Sequence, residues 1–317
     1  MAVHLITKIG IVGAGKVGST FAYSLLLSGL AAEIVLVDKD ARRAEGEAMD
    51  LNHAVPFASA ARIWAGGLED VAGAAVTVLA AGVGQQPGET RLDLVRRNVA
   101  VFRELVPRLA ELNPEGLLLV ATNPVDVLSY ATWKLSGLPA ERVIGSGTIL
   151  DTARFRYLLS QHFGVDPRSI HAYIIGEHGD SEVPVWSLAN ISGMRLQEYC
   201  AAHGCSFGER DMDAIFEQTR NAAYHIIERK GATHYAVAAG LMRIVEAIVR
   251  DQSTVLSISS LMHGLYGIED VYLSVPTVVS GRGAQRILRL TLDEGEVEAL
   301  RRSANVMIEA LDGIGLR

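Results

Sequence analysis

At 317 residues the chain is long enough for two domains or one large α/β unit. Hydrophobic residues make up 49% of it and charged residues 21%, an ordinary globular balance that excludes long disorder. The net charge of −7 argues against nucleic-acid partners, and no apolar run approaches the ~18–20 residues that span a bilayer.

The opening, Met1 to Lys8, does not read as a secretory signal, because a motif that cleavage would destroy follows at once. Short apolar runs then alternate with amphipathic stretches, the rhythm of βαβ units on a parallel sheet. Strands are predicted at 8–12, 34–37, 76–80, 117–122 and 142–145, rich in Val, Ile and Leu as strands covered on both faces should be. Helices are predicted at 16–28 and 92–112. Beyond residue 150 the rhythm changes. Residues 209–230 read as one long helix and 235–250 as another, with Val237, Leu241, Ile244, Val245 and Ile248 at helical spacing. Runs at 254–261, 271–275 and 286–290 read as antiparallel strands between Gly-rich turns. A last helix opens at Asp293 with Glu296 three residues on, a capping box, and continues through Val297, Leu300, Ala304 and Leu311. Cys200 and Cys205 are too few for a disulfide framework and lack the partners of a metal site, so no metal and a reducing, cytoplasmic setting are expected.

Gly13, Gly15 and Gly18 form G-x-G-x-x-G between the first predicted strand and helix. The first glycine permits a tight turn, the second lets the backbone approach a pyrophosphate, and the third lets helix and strand pack closely. The helix N-terminus adds free N–H groups for the phosphates. Asp38 ends the second strand, twenty residues beyond Gly18, where a carboxylate can accept both ribose hydroxyls and would repel a 2′-phosphate. NAD is therefore favoured as cofactor. The fold class is α/β: an N-terminal Rossmann unit with a doubly wound parallel sheet over 1–147, then an α+β substrate domain over 148–317 with antiparallel strands. A cleft between them is the expected ligand site.

Four further constellations carry chemistry. The stretch from Gly84 to Leu92 is a polar loop with a Pro87-Gly88 turn, suited to a mobile lid that carries Arg91. Thr122-Asn-Pro-Val-Asp126 follows a strand at the carboxyl edge of the sheet. Asp151 and Arg154 stand one helical turn apart, and His178 lies between glycines in Gly176-Glu-His-Gly-Asp180. Singly, each has an ordinary explanation: a packed histidine, a helix-surface ion pair, a turn, a strand end.

In this order, the motifs resemble the NAD-dependent 2-hydroxy-acid dehydrogenases of the lactate/malate type, and within them the bacterial L-lactate dehydrogenases. The likeness runs from Lys8 to the C-terminal helix. It implies His178 as acid/base, Asp151 as its orienting carboxylate, Arg154 as the clamp on the substrate carboxylate, Arg91 as the lid cation that polarises the carbonyl, and Asn123 as a hydrogen-bond partner near that carbonyl. Imidazole titrates near neutrality and guanidinium grips carboxylate with two parallel bonds, so the residue types suit those roles. Val17, Arg43, Gly82, Thr122, Asn123 and Ser146 are implied as further cofactor contacts. Gln85 stands where many malate dehydrogenases carry Arg, so a diacid's second carboxylate would be unmatched and pyruvate/L-lactate is expected; Thr233 is implied to pack against the substrate methyl. Arg156 and His171 match positions that bind fructose 1,6-bisphosphate in bacterial relatives, which implies an activator and a homotetramer. Gln86, where relatives carry Lys, departs from the pattern.

Three rivals stand beside this reading. A malate dehydrogenase with an atypical lid is separated by comparing pyruvate with oxaloacetate. A short-chain dehydrogenase is suggested by Tyr130-x-x-x-Lys134, but the glycine variant, the missing upstream serine and the length all disagree, and one face of an ordinary helix is expected instead. A non-catalytic NAD sensor would have no use for His178, Asp151, Arg154 and Arg91 together.

Overall fold

The computed structural model describes residues 7–84 and 88–317, apart from the side chain of Arg91. The expectations for Gln85 and Gln86, and for the Arg91 side chain, therefore lie outside the described residues.

In chain order, the first unit comprises β1 (Lys8–Val12), α1 (Lys16–Ser28), β2 (Glu33–Val37), α2 (Ala41–Ala54), β3 (Arg62–Ala65), β4 (Val76–Leu79), α3 (Arg91–Leu112), β5 (Leu117–Val120), α4 (Val125–Ser136) and β6 (Val143–Gly145). There follow α5 (Ile149–Phe163), β7 (Ile170–His171), β8 (Ile174–Ile175), β9 (Val183–Pro184), β10 (Asn190–Ile191), β11 (Met194–Arg195), α6 (Leu196–His203), α7 (Glu209–Lys230) and α8 (Tyr235–Val249). The chain ends with β12 (Thr254–His263), β13 (Glu269–Ser280), β14 (Gly283–Ile287) and α9 (Glu294–Asp312). The main sheet has nine strands in the order β14-β13-β12-β6-β5-β4-β1-β2-β3. The six from β3 to β6 are parallel, in the doubly wound order, and β12–β14 extend them antiparallel through the pairing of Ser259 with Gly145.

Alternation along each parallel strand explains the unbroken apolar runs. Ile9 and Ile11, Ile34 and Leu36, and Leu117 and Leu119 face a core shared with α1, α2 and α8. Val12, Val35, Val37, Leu118 and Val120 face the opposite core, shared with α3, α4 and α9. Both faces are buried, so period-two patterning disappears from the sequence while the physical alternation persists. A third, smaller core surrounds Phe155, Leu159, Ile170 and Ile191 beside the short strands. Among the described residues, no helix is long and apolar enough to cross a membrane.

Several expectations shift. β3 carries Arg62-Ile-Trp-Ala, too short and mixed an apolar run to stand out. β14 begins three residues before the predicted run, because Ser280 pairs directly with Gly283 across a tight turn. Cys200 and Cys205 are joined as one local disulfide, since Gly204 in the left-handed conformation turns the chain at the end of α6 and brings their Cα atoms to 4.5 Å. The capping box at Asp293 and Glu296 is formed, and Glu296 is buried because it also accepts hydrogen bonds from the Ser187 backbone and hydroxyl. Tyr130 and Lys134 lie on α4 as expected, with the buried Tyr130 hydroxyl donating to Asp270 and the Lys134 ammonium over the Tyr130 ring.

The glycine loop shows what the turn from β1 to α1 requires. Gly13 has φ +109°, and a Cβ there would lie 2.4 Å from the Ala81 backbone nitrogen. A Cβ on Gly18 would lie 1.9 Å from the Gly13 carbonyl oxygen, so only glycine lets the helix approach the strand. Gly18→Ala is expected to destabilise the fold by about 1–3 kcal/mol, read as a lowered denaturation midpoint; an unchanged midpoint would contradict this packing.

Candidate active site

All the loops that matter leave the carboxyl ends of parallel strands: Gly13 after β1, Asp38 after β2, Gly82 after β4, Thr122 and Asn123 after β5, and Ser146 after β6. Gly13, Gly15, Asp38, Arg43 and Gly82 line one cavity of about 450 Å³. A Cβ built on Gly15 meets nothing within 4 Å, so the backbone there is open to a close ligand, unlike that of Gly13 and Gly18. The Asp38 carboxylate is held by backbone N–H donors, one oxygen accepting from Ala14 at 2.8 Å and the other from Asp40 at 2.9 Å. This ties the end of β2 to the glycine loop and fixes a negative charge at the cavity wall. Val17 packs against the α1-side core, on the first turn beyond the loop.

Asn98 of α3, fully buried, knits the next loops together. Its Oδ1 accepts from the Val83 N–H at 2.8 Å, and its amide donates to the Asn123 carbonyl at 3.4 Å. The Thr122 hydroxyl donates to the Ala81 carbonyl at 2.7 Å, which places Thr122 against Gly82. The Ser146 N–H donates to the Val120 carbonyl at 2.8 Å, prolonging the β5–β6 ladder. Asn123 precedes a cis peptide bond to Pro124 and its side chain is exposed.

Asp151, His178 and Arg154 form one constellation. Asp151 and Arg154 lie on α5 with Arg154 Nη1 donating to Asp151 Oδ1 at 2.8 Å. His178 lies on the hairpin between β8 and β9, and its Nδ1 meets Asp151 Oδ2 at 2.5 Å. Asp151 is only 3% exposed, so this is not a solvated helix-surface pair. Burial opposes the Asp151 charge, but the charge and hydrogen bond of His178, joined by Arg154, outweigh it and hold the carboxyl below the usual range. Burial likewise pulls the imidazole pKa down, yet Asp151, with Asp126 and Glu182, raises it to about 9. At neutral pH the ring carries its second proton.

Two acids missed at the sequence level complete the surroundings. Asp126, on the first turn of α4, accepts from the His178 backbone N–H at 2.7 Å and from the Ser259 hydroxyl at 2.6 Å. Burial pushes its carboxyl up to about 6 against those bonds. Asp126 thereby ties the β5–α4 segment, which carries Asn123, to the histidine hairpin. Its signal was present in Asn-Pro-Val-Asp126, but a first-turn acid reads as an ordinary helix-dipole partner. Glu182, four residues after His178, is buried and pushed up to about 8 by burial and by Asp151. An acid in a polar Gly-Asp-Ser turn looks solvated until the fold covers it.

The remaining expected residues lie further out. Thr233 is half-buried in the turn between α7 and α8, a turn tied to α1 by the contact of Thr20 Oγ1 with His234 Nδ1 at 3.0 Å. Arg156 is turned inward, its Nε donating to the Ala172 carbonyl at 2.9 Å and its guanidinium lying over Tyr173. His171 is exposed on β7. On α3, Arg97 spans the polar loop, donating to the Gly84 carbonyl at 2.7 Å and to both oxygens of Glu89 at 2.5 and 2.8 Å.

Replacing Asp151 with Asn leaves burial as the dominant influence on the ring. The His178 pKa is then expected to fall from about 9, with only the Asp126 and Glu182 charges left to oppose burial, as followed by imidazole NMR titration. A ring still titrating near 9 in that variant would show that Asp151 is not the controlling charge.

Comparison with known proteins agrees with this geometry. The model of the lactate/malate dehydrogenase NAD binding domain matches residues 7–145, and that of the lactate/malate dehydrogenase alpha/beta C-terminal domain matches residues 148–314. The chain is 52% identical over 308 residues to the L-lactate dehydrogenase of Acetivibrio thermocellus, covering 97% of each. It is 51% identical over 305 residues to that of Priestia megaterium, covering 96% of each. The solved minor L-lactate dehydrogenase of Enterococcus mundtii, in a ligand-bound form, superposes with a TM-score of 0.95 at 41% identity, covering 98% of this chain and 99% of that one. The chain belongs to the lactate/malate dehydrogenase family, NAD-dependent oxidoreductases that act on a CH–OH group.

Proposed function

We propose that the chain is an L-lactate dehydrogenase that reversibly reduces pyruvate with NADH, its two halves meeting near residue 147. The observation that carries this reading is the single buried carboxylate of Asp151 holding an imidazole on one oxygen and a guanidinium on the other. NAD supplies or accepts the hydride when bound. The open backbone at Gly15, the carboxylate of Asp38, and Arg43 and Gly82 on the same cavity are the groups suited to hold it.

The chain's own part is protonic and electrostatic. Arg154 commits Nη1 to Asp151, and a guanidinium has further N–H donors with which to grip the substrate carboxylate. His178 has Nδ1 committed to Asp151, which leaves Nε2 as the atom that gives a proton to the carbonyl oxygen and recovers it in the reverse direction. Because the ring is protonated at neutral pH, it stands ready for reduction; lactate oxidation requires the neutral ring and gains as pH rises towards 9. Arg91 is assigned the developing negative charge on the carbonyl oxygen, Asn123 a hydrogen bond near it, and Thr233 the methyl side. Gln85 supplies no cation for a second carboxylate, and an unpaired buried charge costs several kcal/mol, each ~1.4 kcal/mol being tenfold in selectivity.

Regulation by fructose 1,6-bisphosphate at Arg156 and His171 belongs to the same reading. It is supported by a cavity of about 550 Å³ lined by Arg156, Arg168 and Arg243; His171, exposed on β7, is not among the residues that line it. Self-association into a tetramer is supported by large exposed apolar side chains on and beside α1 and α2, including Leu27, Met49 and Phe57.

Purified protein is expected to oxidise NADH with pyruvate in preference to oxaloacetate, and His178→Asn to lose about 10²–10⁴-fold in kcat. Gln85→Arg should move preference towards the diacid. Oxaloacetate preferred by the wild type would make the chain a malate dehydrogenase, and no turnover of any keto acid would make it an NAD sensor. The bisphosphate is expected to lower the pyruvate KM in the wild type and not in Arg156→Ala; an unchanged KM in both removes the activator.

A further inference from the structure

Glu182 closes the hairpin that carries His178, its backbone N–H donating to the Gly179 carbonyl at 3.2 Å. The residue is 7% exposed, and its Oε1 has no hydrogen-bond partner among the described residues. The charges that reach it come from Asp151 and Arg154 on α5, His178 on its own hairpin, and Arg220 on α7. Asp126 on α4 adds its charge behind the His178 ring. The other acids of the hairpin are engaged elsewhere: Glu177 accepts from the Ser181 hydroxyl and Asp180 from the Tyr224 hydroxyl.

A carboxylate in this position would be buried with one oxygen unbonded and a like charge nearby in Asp151, each of which favours the neutral acid. The charge balance of the site points the same way. The Asp151 and Asp126 carboxylates together match the His178 imidazolium and the Arg154 guanidinium, and Arg154, bonded to Asp151 through Nη1, keeps further N–H donors for an incoming anion. A third internal carboxylate would leave these groups net negative and oppose that anion. We infer that Glu182 is a positioning residue whose buried carboxyl, kept uncharged, lets Arg154 receive the substrate carboxylate, and whose charge would repel it. The inference rests on the proposed reaction only for the identity of that anion.

The test compares wild type, Glu182→Gln and Glu182→Asp. Because Glu182 titrates at about 8 and His178 at about 9, the pyruvate KM of the wild type should rise on the alkaline side with a dependence approaching two protons. Glu182→Gln should reduce that to one proton and Glu182→Asp restore two, while the alkaline limb of kcat keeps its one-proton form. Independently of turnover, infrared titration should show a carboxylic-acid carbonyl band that fades as pH rises through about 8 and is missing from Glu182→Gln. A two-proton dependence retained in Glu182→Gln, or the same band in that variant, overturns the inference. Absence of pyruvate turnover by the wild type would instead sink the proposed reaction, with the infrared band still deciding the charge of Glu182.

Discussion

The site is organised around one carboxylate that serves two cations. Asp151 has two oxygens, and each is committed to a different group: the imidazole of His178 and the guanidinium of Arg154. A buried carboxylate needs such partners, because an uncompensated charge in the interior is costly. The same requirement positions the His178 imidazole and the Arg154 guanidinium, the proposed proton donor and anion clamp, relative to each other. Removing Asp151 would therefore disturb acid, clamp and local packing together, so the effects of changing these three residues should not add.

The surroundings hold that arrangement from several directions. α5 carries two of the three groups, so their separation is fixed by helical geometry. The third comes from a hairpin whose backbone is held by Asp126, which in turn is bonded to Ser259 of β12 and lies near Ser274 of β13. Those strands extend the parallel sheet through Ser259 and Gly145. The strands that carry the Gly13 and Asp38 cavity and the strand that bridges to the histidine hairpin at Gly176 thus belong to one sheet. This continuity sets the relation of the Asp38 cavity to the Asp151 and His178 pair.

What was legible in the sequence followed from local rules. The turn from β1 to α1 was readable because its needs are partly local: Gly13 takes a left-handed backbone and Gly18 meets the Gly13 carbonyl, whereas the close approach of Ala81 to Gly13 is tertiary. The pairing of Asp151 with Arg154 was readable because residues three apart on a helix meet. The contact between Asp151 and His178, 27 residues apart, had no local signature and was supplied by family resemblance. Asp126 and Glu182 were opaque for a related reason: acids look solvated in a sequence, and only tertiary burial turns them into partners of the histidine. The link between Cys200 and Cys205 depends on a reversal at Gly204 that the spacing did not announce. β14 slipped by three residues because the apolar run and the hydrogen-bonded register do not coincide there.

Arg97 gives the polar loop a property separate from catalysis. By bonding Gly84 on one side and Glu89 on the other, it staples both stems of the loop to α3. The start of α3 is thereby held by contacts made at Gly84, Glu89 and Arg97, so its register does not depend on which side chains the sequence places between those stems.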